Sequence, residues 1–271
     1  MTLTSLPRED SLIRRFGNPR NIKRCVILMP LRGEKPECIT EACIGAAIES
    51  GAQLITSHFL SDIAKHRCVI QERCYRTIVD PMVDTAVWVD GDSVFSKDIL
   101  AALVGISRHT LGPVSGCYVS RQDPAASARI CAHVLPSEPP VRLSGDPELP
   151  WECDSGITAW RAYTGMGMLA VPMAMMRELS DSSVPIVGDY PYRAVCWSGP
   201  YEQDGHYVWA GEDTTYCERL GSLDRHPALP ALVPLSVGHV TASGAVRWPT
   251  EESCASYPDG SRRPPWGHRE V

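Results

Sequence analysis

Three short apolar runs, spaced by helix-length segments and ending in a pair of aspartates, limit this chain more than any other feature. Residues 24–30 (RCVILMP) form a continuous apolar run closed by proline, the pattern of a strand buried on both faces. Residues 40–51 (TEACIGAAIESG) predict a helix, with Thr40 as N-cap and Gly51 as its stop. Residues 52–60 (AQLITSHFL) predict a second strand, and residues 61–79 a long helix capped by Ser61 or Asp62. Residues 85–89 (TAVWV) predict a third strand that runs straight into Asp90-Gly91-Asp92. This order describes a nucleotide-binding α/β half, in which ligands sit at the C-terminal ends of the strands.

Further along, residues 96–109 predict a helix capped by Ser96, and residues 112–120 (GPVSGCYVS) a glycine-bearing strand. Residues 123–155, rich in Pro, Ser, Gly and acids, read as a loop with short strands. Residues 157–171 read as strand, Gly-Met-Gly break, strand. A short helix follows over 172–180, then an irregular aromatic stretch over 188–207 and a helix over 212–220. The domain reading is a polar arm over 1–21, one domain over 22–248 and a polar, proline-rich tail over 249–271. Within the domain, residues 22–122 form the nucleotide-binding α/β half and residues 123–248 a second half.

A chain of 271 residues buries a large core without disulfide or metal staples. Its net charge of −6 argues against a broad sequence-independent grip on nucleic acid, which needs a basic surface. The 11 cysteines form no CxxC pair and no zinc-ligand spacing. Their odd number and scatter favour a reducing compartment. No run approaches the roughly 18 apolar residues of a membrane span, and charges break up the N-terminus where a signal peptide needs an apolar core. The expectation is a cytoplasmic protein without a transmembrane segment.

Asp90-Gly91-Asp92 is the sharpest chemical signal. Two carboxylates so close repel each other, and a divalent cation relieves the repulsion. A solvated Asp-Gly turn is the plain alternative. His239, in Ser236-Val-Gly-His239, follows another apolar stretch, and imidazole suits Mn²⁺ better than Mg²⁺; a satisfied structural histidine is its alternative. Glu212 and Asp213 open a helix, where the macrodipole already favours acids; one of them is a candidate general base. Gly165-Met166-Gly167 marks either close approach by a ligand or a β-bulge. Arg67, on the helix before the acidic strand, is a candidate phosphate or carboxylate partner.

Taken in order, TAVWVDGDSVF, YTGMGMLAVPMAMMREL, GEDTTYCERLG and VGHV resemble the GT-A class of nucleotide-sugar glycosyltransferases, from about residue 24 to about residue 244. The resemblance implies an α/β, GT-A-like single domain with a Rossmann-like half and a mixed central sheet. It implies Asp92, Asp90 (through water or ribose) and His239 at a Mn²⁺ or Mg²⁺ ion, and Asp213 as base with Glu212 beside it. Pro30, Arg32, Arg67, Asp90, Gly91, Asp92, Gly165, Met166 and Gly167 are placed with the nucleotide-sugar donor. The first strand departs from the class by continuing as LRGEKPE, and residues 123–155 match nothing in it.

The implied reaction moves a sugar from a nucleoside diphosphate sugar, UDP by preference, to an acceptor hydroxyl with inversion. A glycan, a lipid-linked sugar, a protein or a modified DNA base are open as acceptors. Two rivals stand beside it. A sugar-nucleotide-forming nucleotidyltransferase wants a glycine- and basic-rich loop after the first strand, where this chain has one glycine. A catalytically inactive nucleotide-binding module would keep the fold alone.

Overall fold

The structure is a computed structural model, and it describes residues 9–32, 36–59, 62–119, 132–134, 141–142, 158–187, 191–203, 206–224 and 229–250. The first half runs α1 (Glu9–Phe16), a 3-10 turn (Pro19–Arg24), β1 (Cys25–Arg32), α2 (Cys38–Glu49), β2 (Gln53–Phe59), α3 (Ile63–Thr77), β3 (Thr85–Val89), β4 (Ser93–Val94), α4 (Lys97–Thr110) and β5 (Val114–Cys117). The second runs β6 (Ala132–Val134), β7 (Val141–Arg142), β8 (Thr158–Thr164), β9 (Met168–Pro172), α5 (Met173–Asp181), β10 (Pro185–Ile186) and β11 (Tyr192–Arg193). It closes with β12 (Gly199–Gln203), β13 (His206–Ala210), α6 (Glu212–Gly221), β14 (Ala231–Ser236), β15 (Gly238–Val240) and β16 (Val246–Arg247).

The main sheet follows β2-β1-β3-β9-β5-β14-β8-β6, with β7 also paired to β8. β1 lies parallel between β2 and β3, β9 is antiparallel to both β3 and β5, and β14 is parallel to β5. The fold is thus mixed α/β, and its parallel β2-β1-β3 part is compatible with a Rossmann-like half. The apolar runs are continuous because helices cover both faces and successive side chains alternate between them. Ile27, Met29, Val87 and Val89 pack with Leu103 and Ile106 of α4 on one face. Val26, Leu28, Ala86 and Trp88 pack with Cys68, Met176, Leu179 and Tyr216 of α3, α5 and α6 on the other.

Caps explain several boundaries. The Asp62 carboxylate accepts from the Lys65 amide at 3.0 Å and the Ser96 hydroxyl from the Ile99 amide at 3.2 Å, as expected of N-caps. Thr40 is a correction: α2 starts earlier, after Glu37, and Thr40 is a fully buried first-turn residue. Gly51 follows α2 with φ of +102°, which suits glycine at a helix stop.

The stretch read as a polar arm contains α1. Leu12 and Phe16 lie one turn apart and are buried among charged neighbours, so a short amphipathic face docks on α4. The Glu9 carboxylate accepts from the Ser236 amide at 2.9 Å and from the Ser236 hydroxyl, fastening α1 to β14. The stretch read as irregular holds the antiparallel β12–β13 hairpin. In 123–155 the described residues are the short strands β6 and β7; the rest of that expectation, and of the tail beyond residue 250, lies outside the described residues. Among the described residues no helix is long and apolar enough to cross a membrane.

Candidate active site

All five residues of β3 are buried, so Asp90 is the first residue of that strand's path to leave the core. Its amide donates to the Gly167 carbonyl at 3.3 Å, and the Ser93 hydroxyl donates to the same carbonyl at 2.8 Å. The acidic turn is thereby fixed to the β8–β9 turn. A Cβ on Gly91 would sit 3.3 Å from Leu31 Cδ2 and 4.0 Å from the Pro30 carbonyl, so the glycine allows the turn to close against the end of β1. Pro30 therefore adjoins the acidic turn. Arg32 is exposed opposite Phe59 and, among the described residues, joins none of the ion pairs around the aspartates.

Arg67 is 1% exposed and faces three carboxylates. Its Nη2 lies 3.0 Å from Asp90 Oδ1 and 3.5 Å from Asp213 Oδ1, and its Nε lies 3.5 Å from Glu212 Oε1. The guanidinium rests 5.7 Å from the Trp88 ring centroid. Burial works against its charge, but Asp90, Asp213 and Glu212 outweigh that and raise its pKa. Nε and Nη1 make no hydrogen bond, the Glu212 contact being an ion pair without hydrogen-bond geometry. Both nitrogens are buried.

Asp213 accepts the Met166 amide at 3.2 Å. Burial pushes its carboxyl up to about 7; Arg67 opposes the shift and the Glu212 and Asp90 charges add to it. The side chain nevertheless keeps 37% of its surface, so it meets solvent or a ligand. Between the two acids lies the Gly165-Met166-Gly167 turn. A methyl group on Gly165 would collide with the Tyr118 hydroxyl and lie 3.5 Å from Asp213 Oδ2, and one on Gly167 would lie 3.2 Å from Asp90 Oδ2. The glycines are there because a bare backbone fits between Asp90, Asp213 and Tyr118.

His239 reaches the acidic turn because β15 pairs with β4, setting His239 opposite Ser93. Its Nε2 lies 3.1 Å from Asp92 Oδ2 and its Nδ1 lies 2.9 Å from the Val119 carbonyl oxygen. A carbonyl and a carboxylate only accept, so both ring nitrogens must carry protons. Burial alone would lower the His239 pKa; the Asp92 bond and charge outweigh it, and the net shift is upward. Among the described residues no group of three or more His, Cys, Asp or Glu side chains closes into a metal cage.

Arg67, Asp90, Glu212, Asp213 and the glycine turn thus form one cluster, with the Asp92–His239 pair on the same acidic turn. Sequence reasoning missed Tyr118, whose hydroxyl accepts the Gly167 amide at 3.0 Å and whose ring meets His239 edge-on at 5.9 Å. The available signal was a phenol at the C-terminal end of an apolar, glycine-bearing strand, the edge at which Asp90 also emerges. No protein-family model matches the chain, and no curated protein matches it either.

Proposed function

We propose that the protein is a cytoplasmic, metal-dependent glycosyltransferase of GT-A-like fold, moving a sugar from a nucleoside diphosphate sugar to an acceptor hydroxyl. One observation carries the reading: three carboxylates, Asp90, Glu212 and Asp213, face the Arg67 guanidinium, while Asp92, on the same turn as Asp90, pairs with the His239 ring. Fully ionised, the cluster holds excess negative charge, which a divalent cation relieves.

The donor set fits such an ion. Asp92 and His239 share a proton at a place where Mn²⁺ or Mg²⁺ would take the imidazole lone pair and the carboxylate together, with the Val119 carbonyl orienting the ring. When bound, the ion would neutralise the departing diphosphate. Arg67 keeps Asp90 in place. The Gly165–Gly167 turn, a bare backbone packed under the Tyr118 hydroxyl, sets the spacing of Asp90 and Asp213. Asp213, titrating near neutrality, takes the proton of the attacking hydroxyl. Attack on the face opposite the leaving diphosphate inverts the anomeric carbon. UDP is the preferred nucleotide.

The test is release of nucleoside diphosphate from a panel of nucleoside diphosphate sugars, with and without Mn²⁺. Metal-dependent release from at least one donor supports the reading. Formation of pyrophosphate from a nucleoside triphosphate and a sugar phosphate would instead favour a nucleotidyltransferase. Nucleotide affinity without any turnover would favour an inactive module.

A further inference from the structure

A cavity of about 460 Å³ opens at the N-terminal end of α3, within the roughly 300–1,000 Å³ of small-molecule sites. Its walls are the first turn of α3, the β10–β11 pair and residues 194–198. Trp197 lines it and keeps 40% of its surface; Tyr192 lines it half-buried. The lining residues carry the Asp62 carboxylate, the Lys65 ammonium, the Ser198 and Tyr192 hydroxyls and the Cys68 and Cys196 thiols.

The segment carrying Trp197 is bolted to the helix carrying the base. The Trp197 amide donates to Thr215 Oγ1 at 3.0 Å, and that hydroxyl donates to the Trp197 carbonyl at 2.7 Å. Thr215 lies two residues beyond Asp213 on α6. Ser198 Oγ, on the cavity wall, donates to Glu212 Oε2 at 3.4 Å. The cavity wall is therefore tied to the helix that carries Glu212 and Asp213.

The lining also chooses the chemistry. One acid and one base cancel, so nothing there favours a phosphate or a polyanion. Carboxylate, ammonium and hydroxyl together supply acceptors and donors, which suits a ligand whose own groups both donate and accept. An exposed indole offers a flat apolar face on which the CH face of a pyranose can lie, its hydroxyls turned to the polar rim. We infer that this cavity binds the acceptor of the transfer reaction and that the acceptor is a saccharide seated on Trp197, an assignment that rests on the glycosyltransferase reading above. The acceptor hydroxyl gives its proton to Asp213 and its oxygen bonds to the anomeric carbon. The bond from that carbon to the phosphate oxygen breaks, and its electron pair leaves on the diphosphate.

Saturation-transfer NMR on the full chain tests this, with methyl β-glucoside, methyl β-galactoside, methyl α-mannoside, N-acetylglucosamine and cellobiose as probes and uridine as competitor. Saturation of one face of at least one saccharide is expected, falling at least fivefold in Trp197→Ala and retaining half or more in Trp197→Phe. Uridine should leave it unchanged. Failure of every saccharide to respond, an equal response in Trp197→Ala, or displacement by uridine overturns the assignment. A substitution at this exposed ring that unfolds the chain is recognised by circular dichroism, and Trp197→Phe then decides alone by the same saturation threshold. Nucleoside diphosphate release by the same wild-type preparation is read separately. Release without saccharide saturation overturns the acceptor cavity only. Saturation without release overturns the enzyme, and the acceptor role with it.

Discussion

The Gly167 amide donates to the Tyr118 hydroxyl at 3.0 Å, and that same hydroxyl fills the space a side chain on Gly165 would need. One phenol thus fixes the turn that separates Asp90 from Asp213. Gly165→Ala should destabilise the fold by about 1–3 kcal/mol through overpacking. Tyr118→Phe should cost about 1–3 kcal/mol by orphaning a buried amide. Because Phe removes the oxygen that the new methyl meets, the double variant should be more stable than the two losses added, by about 0.5 kcal/mol or more. Urea unfolding of the four proteins measures this; strict additivity would contradict the packing.

Arg67 is the buried cation among Asp90, Glu212 and Asp213. Arg67→Met keeps much of the volume but leaves the carboxylates facing one another. A loss of about 3–5 kcal/mol is expected, as for breaking a buried pair. The loss should shrink from pH 8 to pH 5, as Asp213 gains its proton and one of the facing charges is removed. Urea midpoints at pH 5 and pH 8 check both the size and the trend.

Asp213 makes a pH prediction whose sign is fixed by its raised pKa. An acid held up to about 7 from an ordinary 3.8 binds its proton more tightly when folded. That contribution is complete below about pH 4 and is lost as pH rises through 7. Asp213→Asn keeps an acceptor for the Met166 amide but cannot ionise. It should therefore be more stable than the wild type at pH 8 and not at pH 4. With the side chain 37% exposed, solvent screening reduces the gain to about 1 kcal/mol, a rise of about 2–4 °C in Tm. Transfer should fall about 10²–10⁴-fold, and the wild-type rate should climb with pH to an inflection near 7.

The parallel half of the fold was legible because β1 and β3 are buried on both faces and so read as unbroken apolar runs. The acidic turn was legible because β3 ends where the chain reaches solvent. Other parts depended on pairings that no local pattern encodes. α1 is eight residues long with two buried apolar anchors, too short a period to stand out beside its charges. β12 and β13 are recognisable only once they pair with each other. Thr40 has the residue type of an N-cap, yet packing places it inside α2. At the site, Asp90, Arg67, Glu212 and Asp213 were each visible, but their convergence on one guanidinium comes from three elements distant in sequence. Tyr118 escaped because its role depends on the Gly165–Gly167 turn fitting beneath its hydroxyl.

Glu9 tests whether α1 belongs to the domain. Its carboxylate accepts from both the amide and the hydroxyl of Ser236, and Glu9→Leu should leave that buried strand end unsatisfied at a cost of about 1–3 kcal/mol. Glu9→Gln retains an acceptor and should cost less. Thermal unfolding of both variants decides; equal stability of all three proteins would mean that the helix is not held by this contact.

The central claim is that Asp92 and His239 hold a divalent cation against the donor's diphosphate. Calorimetric titration of Mn²⁺ into protein and UDP at pH 6, in two buffers of different ionisation enthalpy, tests it directly. The account predicts saturable binding with release of about one proton per ion, since the cation displaces the proton His239 holds there, and loss of binding in Asp92→Ala. UDP binding of equal strength with and without Mn²⁺, unchanged in Asp92→Ala, would contradict it.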